Sequence, residues 1–255
     1  MDLTIASYNL HGGVGWDGKF DLRRIRDVLR EVSADVVALQ ECGDFRAPPD
    51  STERPEQLAE WLGFHMAFAP NVVQGTKRYG NALLSRLPIR RSHNYDLTVS
   101  GKEPRGALLC DFDVGGGRLL HVFCLHLGLS PRERRAQEAL LLSAEIWRDA
   151  ARRDPVIVCG DFNYFWNGPV PALVRSSIRD AAHELGEAGR TYPARLPLLR
   201  LDRFFVAGSV RPLAVRVHRT PLAAEASDHL PVVMRFEVPE IEHTPFELHP
   251  VRRIG

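Results

Sequence analysis

The amino-acid sequence predicts an α/β fold in which mixed β-sheets are covered by helices. Short apolar segments typical of buried strands recur from residue 3 to residue 238, and segments with the apolar spacing of helices accompany them in both halves of the chain. The middle of the chain is instead rich in strands joined by hairpins. A purely parallel sheet needs a helical connection between successive strands, so this pattern favours mixed sheets with helices on their outer faces.

The first 56 residues are predicted to form a strand, a helix, a second strand and a loop. Leu3–Asn9 alternates apolar and polar side chains, as a half-buried strand does. Leu22–Val32 carries apolar residues at helical spacing, and Asp35–Gln40 is a short apolar run typical of a buried strand. Phe45–Glu56 contains three prolines among polar residues, which predicts a surface loop.

Strands dominate the prediction for the middle of the chain. Asp113–Gly117 ends in three consecutive glycines, a composition typical of a tight turn, so the strands on either side of it are expected to form a hairpin. The predicted strands of this region are Asn81–Leu84, Ile89–Tyr95, Ala107–Val114 and Leu119–Leu125.

A helix is predicted to begin at Ser130. The Ser130 side chain can cap the helix N-terminus, Pro131 suits the first turn, and Glu133 stands at the position of a capping box. The predicted buried stripe of this helix consists of Ala136, Leu140, Ala144 and Trp147. The strands predicted after it are Pro155–Cys159, Arg203–Val206, Val210–His218 and Val232–Val238.

The composition is that of an ordinary globular protein. The chain has 255 residues, of which 44% are hydrophobic and 25% charged, and its formal net charge of +1 gives no support to tight, sequence-independent binding of nucleic acid. The N-terminus lacks a basic stretch followed by an apolar run, and no apolar run approaches 18 residues, which predicts a cytoplasmic protein without a transmembrane segment. Wide spacing predicts reduced, buried thiols for Cys42, Cys110, Cys124 and Cys159.

Residues able to bind a metal or transfer a proton stand at six places beside the predicted strands. Ligands of open α/β sheets lie beyond the carboxyl ends of strands, so these residues could converge on one site. A nucleophilic Ser227 beside Asp228 and His229 is conceivable, but the chain has no Gly-x-Ser-x-Gly elbow, and no phosphate-binding glycine motif supports a nucleotide cofactor. The six places are Asn9, Gln40-Glu41, His126, Asp161 with Asn163, Asp202 and Asp228-His229.

Taken singly, most of these residues have an ordinary structural explanation. An Asn at a strand end, such as Asn9, is commonly a turn former, and a lone His between apolar neighbours, such as His126, is commonly structural. Glu41 offers the oxygen ligand that Mg²⁺ prefers, but it could equally cap a helix or form a salt bridge. The strand that breaks at a glycine and presents Asp161 and Asn163 is more specific, because both side chains can point to the same ligand.

Taken in order, these segments resemble the endonuclease/exonuclease/phosphatase superfamily, which includes deoxyribonuclease-I-like nucleases, abasic-site endonucleases, sphingomyelinases and inositol-polyphosphate 5-phosphatases. The most specific segments are Gly160-Asp161-Phe162-Asn163 and Ser227-Asp228-His229-Leu230-Pro231. The resemblance implies an α/β fold built as a four-layer αββα sandwich, with the site at one edge of two mixed sheets flanked by helices. It also implies a single domain over residues 1–255, with a core of about 3–238 and a C-terminal tail of 239–255.

The resemblance further implies a metal-dependent hydrolase that acts on phosphate esters. Glu41 would hold Mg²⁺, for which Mn²⁺ could substitute, with Asn9 and Asp228 nearby. Asp161 and Asn163 would orient the attacking water and the scissile phosphate. A phosphodiester is anionic and repels hydroxide, so its hydrolysis requires a cation on a non-bridging oxygen and a positioned water.

The resemblance leaves the roles of the two imidazoles open. His229, oriented by Asp202, would be either the general base or a group that contacts the phosphate, since an Asp-oriented imidazole titrates near neutrality. His126 would bind a phosphate oxygen or assist the leaving group. Arg105 and Arg132 are candidate phosphate binders, and a surface salt bridge explains each of them equally well.

The substrate is predicted from segments that resemble short bacterial members of the superfamily, which implies a lipid-derived or small-molecule phosphodiester. The alternative is an endonuclease or exonuclease acting on DNA or RNA, although the DNA-gripping loops of the large nucleases are not evident. A non-catalytic binding protein is less favoured, because all six site positions carry chemically competent residues. The segments with this resemblance are Arg78–Ser85, Pro104–Leu108, His126–Arg134 and Leu196–Asp202.

Overall fold

The computed structural model describes residues 1–147, 155–165, 173, 178–187 and 189–239. Within these residues the chain forms two six-stranded β-sheets and five α-helices. Each sheet contains both parallel and antiparallel neighbours, which confirms the predicted mixed α/β architecture.

The first sheet combines the N-terminal strands with the last strands of the described chain. In spatial order it contains β11 (Arg211–Val217), β12 (Val232–Glu237), β1 (Asp2–Asn9), β2 (Val36–Gly43), β4 (Lys77–Ser85) and β3 (His65–Gln74). β1 and β2 are parallel, and the other neighbouring pairs are antiparallel. The chain therefore enters the middle of this sheet first, and its last strand, β12, lies between β1 and the edge strand β11.

The second sheet is built from the central part of the chain. Its spatial order is β5 (Ile89–Asp96), β6 (Gly106–Gly115), β7 (Arg118–His126), β8 (Val156–Asp161), β10 (Asp202–Ala207) and β9 (Arg179–Asp180). β7 and β8 are its parallel pair. Gly116 and Gly117 separate β6 from β7, so the predicted hairpin is confirmed.

Four of the five helices begin at a residue whose side chain caps the N-terminus, and one begins after Pro55 without such a cap. The five helices are α1 (Leu22–Val32), α2 (Glu56–Leu62), α3 (Pro131–Leu141), α4 (Ala181–Glu184) and α5 (Pro221–Ala226). The carboxylate of Asp21 accepts the backbone N–H groups of Arg23 and Arg24 at the start of α1. Ser130 Oγ accepts the backbone N–H of Glu133, which confirms the predicted start of α3.

Apolar side chains fill three layers of this arrangement. One cluster lies between the two sheets, a second packs α1, α2 and α5 against the first sheet, and a third covers the outer face of the second sheet. Along β1, Leu3 and Ile5 face the other sheet while Ala6 faces the helices, because successive strand residues point to opposite faces. The result is the four-layer αββα sandwich that the resemblance implied.

The sequence does not predict α2, α4, α5, β3 or β9. The three helices have only seven, four and six residues, too few to show a helical period, and β9 has two residues. β3 is an edge strand whose register shifts between Pro70 and Val72, so its apolar residues do not alternate regularly. The predicted surface loop of Phe45–Glu56 ends where α2 begins.

The predicted buried stripe of α3 is wrong. Leu140 and Ala144 are exposed, and Trp147 is buried but lies beyond the end of the helix. The buried positions are polar because they bind the backbone that leads into the helix; for example, Gln137 Oε1 accepts Gly128 N–H at 2.8 Å. The spacing of apolar residues cannot reveal that a loop backbone needs hydrogen-bond partners from the helix. The residues that α3 buries are Glu133, Arg134, Gln137, Glu138 and Leu141.

The four cysteines are free and buried, as predicted. Burial raises the pKa of the Cys124 thiol to about 12. The thiolate form needed for disulfide exchange or metal binding is therefore scarce at neutral pH.

Two further predictions concern the C-terminal tail and the lack of a transmembrane segment. The predicted tail falls outside the described residues from position 240 onward. In the part of the chain that the structure describes, no helix has the length and apolar character needed to cross a lipid bilayer.

β8 can pair closely with β7 only because residue 160 is a glycine. Gly160 has a φ of +141°, and a Cβ added to it would lie 1.9 Å from the backbone oxygen of Leu125 on β7. The obstacle is the backbone of a paired strand, so no side chain can move aside to relieve the contact. Gly160 also precedes Asp161, so the same pairing fixes where the Asp161 carboxylate lies.

We expect Gly160→Ala to lower the free energy of unfolding by about 3 kcal/mol or more, because it adds a backbone clash to an unfavourable φ. Denaturant unfolding followed by circular dichroism measures the change. Gly116→Ala is the matched control, since Gly116 has a φ of +64° and no atom within 4 Å of an added Cβ. It should lose only about 1–2 kcal/mol. Equal losses in the two variants would contradict the clash.

Candidate active site

At one edge of the space between the two sheets, the buried side chains are polar instead of apolar. The register of the second sheet sets His126, the last residue of β7, and Asp202, the first residue of β10, opposite Asp161. Alternate residues of each strand point toward the other sheet, and the apolar ones among them fill the space between the sheets. The polar residues at the strand ends continue this alternation, so those of one sheet face those of the other. These buried polar residues are Asn9, Gln40, His126, Asp161 and Asp202.

Asn9 joins the two sheets at this edge. Its Nδ2 donates to Asp161 Oδ2 at 3.0 Å and to Glu41 Oε1 at 3.2 Å, while its Oδ1 accepts the backbone N–H of His11 at 3.0 Å. Glu41 belongs to the first sheet and Asp161 to the second. One amide thus fixes the relative positions of two carboxylates that are far apart in the sequence.

Glu41 is turned toward this edge by an irregularity in β2. The pairing of β2 with β4 shifts between Leu39 and Cys42, and Glu41 has a φ of +51°. Without that shift, strand alternation would put residue 41 on the helix-covered face with Leu39. The irregularity therefore explains how Glu41 reaches Asn9.

The surroundings of Glu41 fit a hard cation. Its Oε2 is buried and has no hydrogen-bond partner among the described residues, and the nearest paired charge is Arg46 Nη2 at 3.9 Å. An unpartnered buried carboxylate oxygen is costly, and a divalent cation would satisfy it. Glu41 is the residue best placed to supply an oxygen ligand to Mg²⁺, whereas Asn9 directs its Nδ2 at both carboxylates and could bind the ion only through Oδ1, which also accepts the His11 N–H.

Asp161 lies between the two imidazoles. Its Oδ2 is 3.6 Å from His126 Nε2 and 3.7 Å from His229 Nε2, and its Oδ1 accepts the backbone N–H of Asn163 at 2.9 Å. Burial raises the pKa of Asp161 to about 6, against the opposing influence of His229 and of the hydrogen bonds from Asn163 and Asn9. A carboxylate held in this way can accept a proton near neutral pH.

Asp202 holds His229 in a fixed orientation. Asp202 Oδ2 contacts His229 Nδ1 at 2.8 Å and accepts the hydroxyl of Thr191 at 2.6 Å. The ring of Tyr192 lies 5.0 Å from the His229 ring, between centroids. The carboxylate and the aromatic ring together leave His229 Nε2 directed toward Asp161.

The carboxylates around His229 favour its protonated form. Burial alone lowers the pKa of His229, but Asp202, Asp161 and Asp228 outweigh burial and raise that pKa to about 10. Before any cation binds at this edge, His229 therefore carries a positive charge at neutral pH.

Arg105 determines which nitrogen of His126 carries the hydrogen. Arg105 Nη1 donates to His126 Nδ1 at 2.9 Å, and a guanidinium has no acceptor, so Nδ1 must be the unprotonated nitrogen. Burial, followed by the charges of Arg105 and His229, lowers the pKa of His126 well below its usual value, so the ring is neutral. His126 Nε2–H then faces Asp161 Oδ2 at 3.6 Å. Asn163 Nδ2 also lies 3.1 Å from His126 Nε2, but in this tautomer it donates to Leu127 O at 2.8 Å and not to the imidazole.

The prediction that Arg105 binds the substrate phosphate stays a prediction, since the guanidinium is nearly buried and also contacts Glu103 Oε1 at 3.1 Å. We expect Arg105→Gln to lower kcat about 10- to 100-fold with little change in KM, as is usual when a residue that orients a functional group is lost. Nitrogen-15 shifts of the His126 ring should show loss of the pure Nε2–H tautomer. Glu103→Gln, which removes only the exposed partner, is the control. A large rise in KM without a tautomer change would instead support phosphate binding.

Asp228 lies at the margin of the network. Its Oδ2 is 3.9 Å from His11 Nε2, which is itself 2.7 Å from Arg46 Nη1, and its side chain is partly exposed. Ser227 Oγ donates to the backbone oxygen of Asn9 at 2.8 Å. Because that hydroxyl hydrogen is already used by a backbone carbonyl, Ser227 is poorly placed to act as a nucleophile.

A second group of side chains could also hold a cation. One ligand atom from each of Asp161, Asp202 and His229 lies within 4.8 Å of the other two. In this group His229 is already bonded to Asp202, and Mg²⁺ prefers oxygen to imidazole nitrogen. Asp202 Oδ1 is also buried without a hydrogen-bond partner among the described residues, so each group offers a free carboxylate oxygen, and the absence of a nitrogen ligand favours Glu41 for Mg²⁺.

The structure brings most of the predicted site residues into one network. Asp228 is at its margin, Arg105 lies behind His126, and Arg132 is exposed in the first turn of α3. The sequence does not predict four residues that contact the network. His11 could have been found from its closeness to Asn9, but the others stand in segments without a regular pattern. These four residues are His11, Arg46, Thr191 and Tyr192.

Known proteins with similar sequences and structures identify the family and the fold of the chain. The family model described as "Endonuclease/Exonuclease/phosphatase family" matches residues 6–229. Protein YbhP of Escherichia coli (strain K12) is 36% identical over 250 residues, which cover 91% of this chain and 95% of YbhP.

Among solved structures, the mannosyl-6-phosphatase Bt3783 of Bacteroides thetaiotaomicron has a TM-score of 0.73 at 20% identity, covering 92% of this chain and 99% of that one. Truncated TDP2 of Caenorhabditis elegans has a TM-score of 0.67 at 20% identity, covering 92% of this chain and 97% of that one. At this identity the two structures support the fold. With the family match over most of the sequence, the chain belongs to the endonuclease/exonuclease/phosphatase family of phosphoester hydrolases.

Proposed function

We propose that this chain is an Mg²⁺-dependent phosphoesterase that hydrolyses a lipid-derived or small-molecule phosphodiester by attack of an activated water. The observation that carries the proposal is the position of Asp161, whose Oδ2 lies 3.6 Å from His126 Nε2 and 3.7 Å from His229 Nε2. A water on this carboxylate would be beside two groups that can bind the oxygens of the phosphate. That arrangement aligns the nucleophile with the phosphorus, which is the main requirement of phosphoryl transfer.

Asp161 is the residue we assign to the attacking water. Donors on both of its oxygens, Asn163 N–H and Asn9 Nδ2, hold the carboxylate in one orientation. As the water oxygen bonds to phosphorus, its proton passes to Asp161 and the bond from phosphorus to the leaving oxygen breaks.

The two imidazoles have different roles in the proposal. His126, neutral with its hydrogen on Nε2, donates a hydrogen bond to a phosphate oxygen. His229, oriented by Asp202, contacts the phosphate through Nε2 and returns a proton to the leaving oxygen. Asp202 stabilises the charged imidazole without itself touching the substrate.

Mg²⁺ held by Glu41 and Asn9, with Asp228 at the margin, would neutralise a non-bridging phosphate oxygen. Glu41 Oε2 has the unpartnered, buried position that such a role requires. Asn9 links this carboxylate to Asp161, so the metal ligand and the water-orienting group would move as one unit.

The proposal is tested by hydrolysis of bis(p-nitrophenyl) phosphate by the purified protein. We expect turnover with Mg²⁺ that EDTA abolishes and that added Mg²⁺ or Mn²⁺ restores. Phospholipids, inositol phosphates, RNA and supercoiled plasmid are assayed with the same metal-loaded preparation. Nicking of the plasmid at a rate above phosphodiester turnover would favour the nuclease alternative, and no hydrolysis of any of these substrates would end the proposal.

A further inference from the structure

Large apolar side chains are exposed on segments that adjoin the candidate active site. In the described part of the chain eight large hydrophobic side chains are exposed. Single exposed hydrophobic residues are normal, but several close to one site mark an interaction surface. Five of them stand on connections next to site residues, and we call them the apolar rim: Trp16, Leu129, Phe165, Leu196 and Leu198.

One part of the rim lies beside His126 and Asn163. Leu129 follows His126 by three residues, and Phe165 follows Asn163 by two. Arg134 lies near both, since its Nη1 donates to Leu129 O at 2.5 Å and its guanidinium carbon is 5.7 Å from the centre of the Phe165 ring. Leu129 and Phe165 are therefore neighbours in space at the His126 side of the site.

The other part of the rim lies beside His229. Residues 192–199 form a segment closed by backbone hydrogen bonds between its two ends, and it carries both rim leucines on its exposed side. The Tyr192 ring at one end packs on the His229 ring at 5.0 Å. The Arg195 guanidinium lies 5.3 Å from the centre of the Trp16 ring, which places Trp16 against the same segment. The rim thus has members on both imidazole sides of Asp161.

The chemistry of the rim fits hydrocarbon better than nucleic acid. Three of its five residues are leucines, and leucine has no π-face on which a base can stack. Leu196 is 65% exposed and Leu129 is 63% exposed. Side chains of this kind enter the acyl region of a bilayer, and Trp favours the boundary between headgroups and acyl chains.

Cationic residues stand next to the rim. Arg132 and Arg135 are exposed in α3, which begins two residues after Leu129. Arg195, adjacent to Leu196, has a half-exposed side chain that is paired with Glu225. Exposed arginines beside apolar side chains are complementary to anionic headgroups above acyl chains.

We infer that the apolar rim docks the protein on an anionic lipid surface, so that the phosphodiester of a lipid headgroup reaches Asp161 while its acyl chains remain in the bilayer. This inference rests on the proposed function and deepens it by naming the substrate class. The substrate is an amphiphile embedded in a membrane, and the rim residues supply docking while the buried network supplies hydrolysis.

The inference is tested by flotation of the full-length protein with vesicles of phosphatidylglycerol and, separately, of phosphatidylcholine. We expect wild-type protein to float with phosphatidylglycerol vesicles and to bind phosphatidylcholine more weakly. Leu129→Glu/Leu196→Glu should reduce binding to phosphatidylglycerol at least about tenfold, because two buried leucine side chains are lost from the contact. Leu129→Ser/Leu196→Ser should reduce it in the same direction, which separates loss of apolar surface from charge repulsion.

Leu140→Glu is the matched control, since Leu140 is also exposed but lies near the far end of α3. It should float like wild type. All variants should keep the wild-type rate on soluble bis(p-nitrophenyl) phosphate, because no rim residue belongs to the catalytic network. Wild-type protein that fails to float, rim variants that float like wild type, or rim variants that lose binding to plasmid but not to vesicles would overturn the inference.

Flotation needs no turnover, so the result is independent of the proposed function. Vesicle binding without hydrolysis of any phosphodiester would retain the docking surface and remove the enzymatic proposal. Hydrolysis of the soluble substrate without vesicle binding would do the reverse.

Discussion

Replacing His229 with alanine should lower kcat/KM for a phosphodiester by about 10³-fold or more while the protein stays folded. The substitution removes the imidazole that Asp202 orients at 2.8 Å and that faces Asp161 at 3.7 Å. The phosphate then loses both a positively charged contact and the donor for its leaving oxygen. A loss of this size corresponds to about 4 kcal/mol of transition-state stabilisation. Steady-state kinetics on bis(p-nitrophenyl) phosphate measure it.

The chain contains a matched control for this substitution. His121 and Asp111 form a second buried imidazole–carboxylate pair, with His121 Nδ1 at 2.7 Å from Asp111 Oδ1, on the helix-covered face of the second sheet. His121→Ala should lower stability about as much as His229→Ala, since each leaves a buried carboxylate without its imidazole. Only the His229 variant should lose activity. Comparable loss of activity in both would mean that the effect comes from damage to the fold.

Glu41→Gln should weaken Mg²⁺ binding by at least about 100-fold, because the loss of even an outer contact to a metal ligand costs 10- to 100-fold. The amide preserves the size of the side chain but removes the charge of a carboxylate whose Oε2 has no hydrogen-bond partner among the described residues. Calorimetric titration of the protein with Mg²⁺, without substrate, measures binding directly. Activity should return only at Mg²⁺ concentrations far above those that saturate the wild type.

Glu225→Gln provides the control for that experiment. Glu225 is a half-exposed carboxylate near the rim that pairs with Arg195 and does not contact Asn9 or Asp161. Its amide variant should bind Mg²⁺ like wild type. Unchanged Mg²⁺ affinity in Glu41→Gln would exclude Glu41 as the ligand and direct attention to the group formed by Asp161, Asp202 and His229.

The most predictable part of the site is the end of β8. An uninterrupted apolar run that stops at Gly160 and continues with Asp161 and Asn163 is a local signal, and strand alternation explains why the carboxylate faces the other sheet. Alternation places Asn9 and His126 in the same way. For these residues the sequence carries the necessary information, because each position depends only on the parity of its own strand.

Other parts of the site depend on contacts between distant segments. Glu41 reaches Asn9 through a register shift in β2, and apolar alternation alone puts residue 41 on the opposite face. Arg105 and Thr191 act through hydrogen bonds to His126 and Asp202. Such side-chain partners are decided by the packed structure, and no periodic pattern marks them.

The wrong stripe in α3 has a related cause. The prediction assumed that a helix buries its apolar side, but Gln137 is buried because the backbone of Gly128 needs an acceptor. The free energy gained by giving a buried loop N–H a hydrogen-bond acceptor can therefore exceed that gained by burying an apolar side chain, and Leu140 stays exposed. The same reasoning explains why the strands, whose backbone groups are paired within the sheets, were predicted more accurately than this helix.

The position of the Asn9 amide links the stability of this enzyme to what its site binds. The two halves of the sandwich pack mainly through apolar side chains, and polar contacts from Gln40 and Asn81 also cross between them, but Asn9 binds a carboxylate on each half. An ion or phosphate bound beside this amide would add contacts to both halves, so the protein with its ligand should resist heat and proteolysis better than the protein without it. The abundance of the protein in a cell would then follow the supply of what it binds.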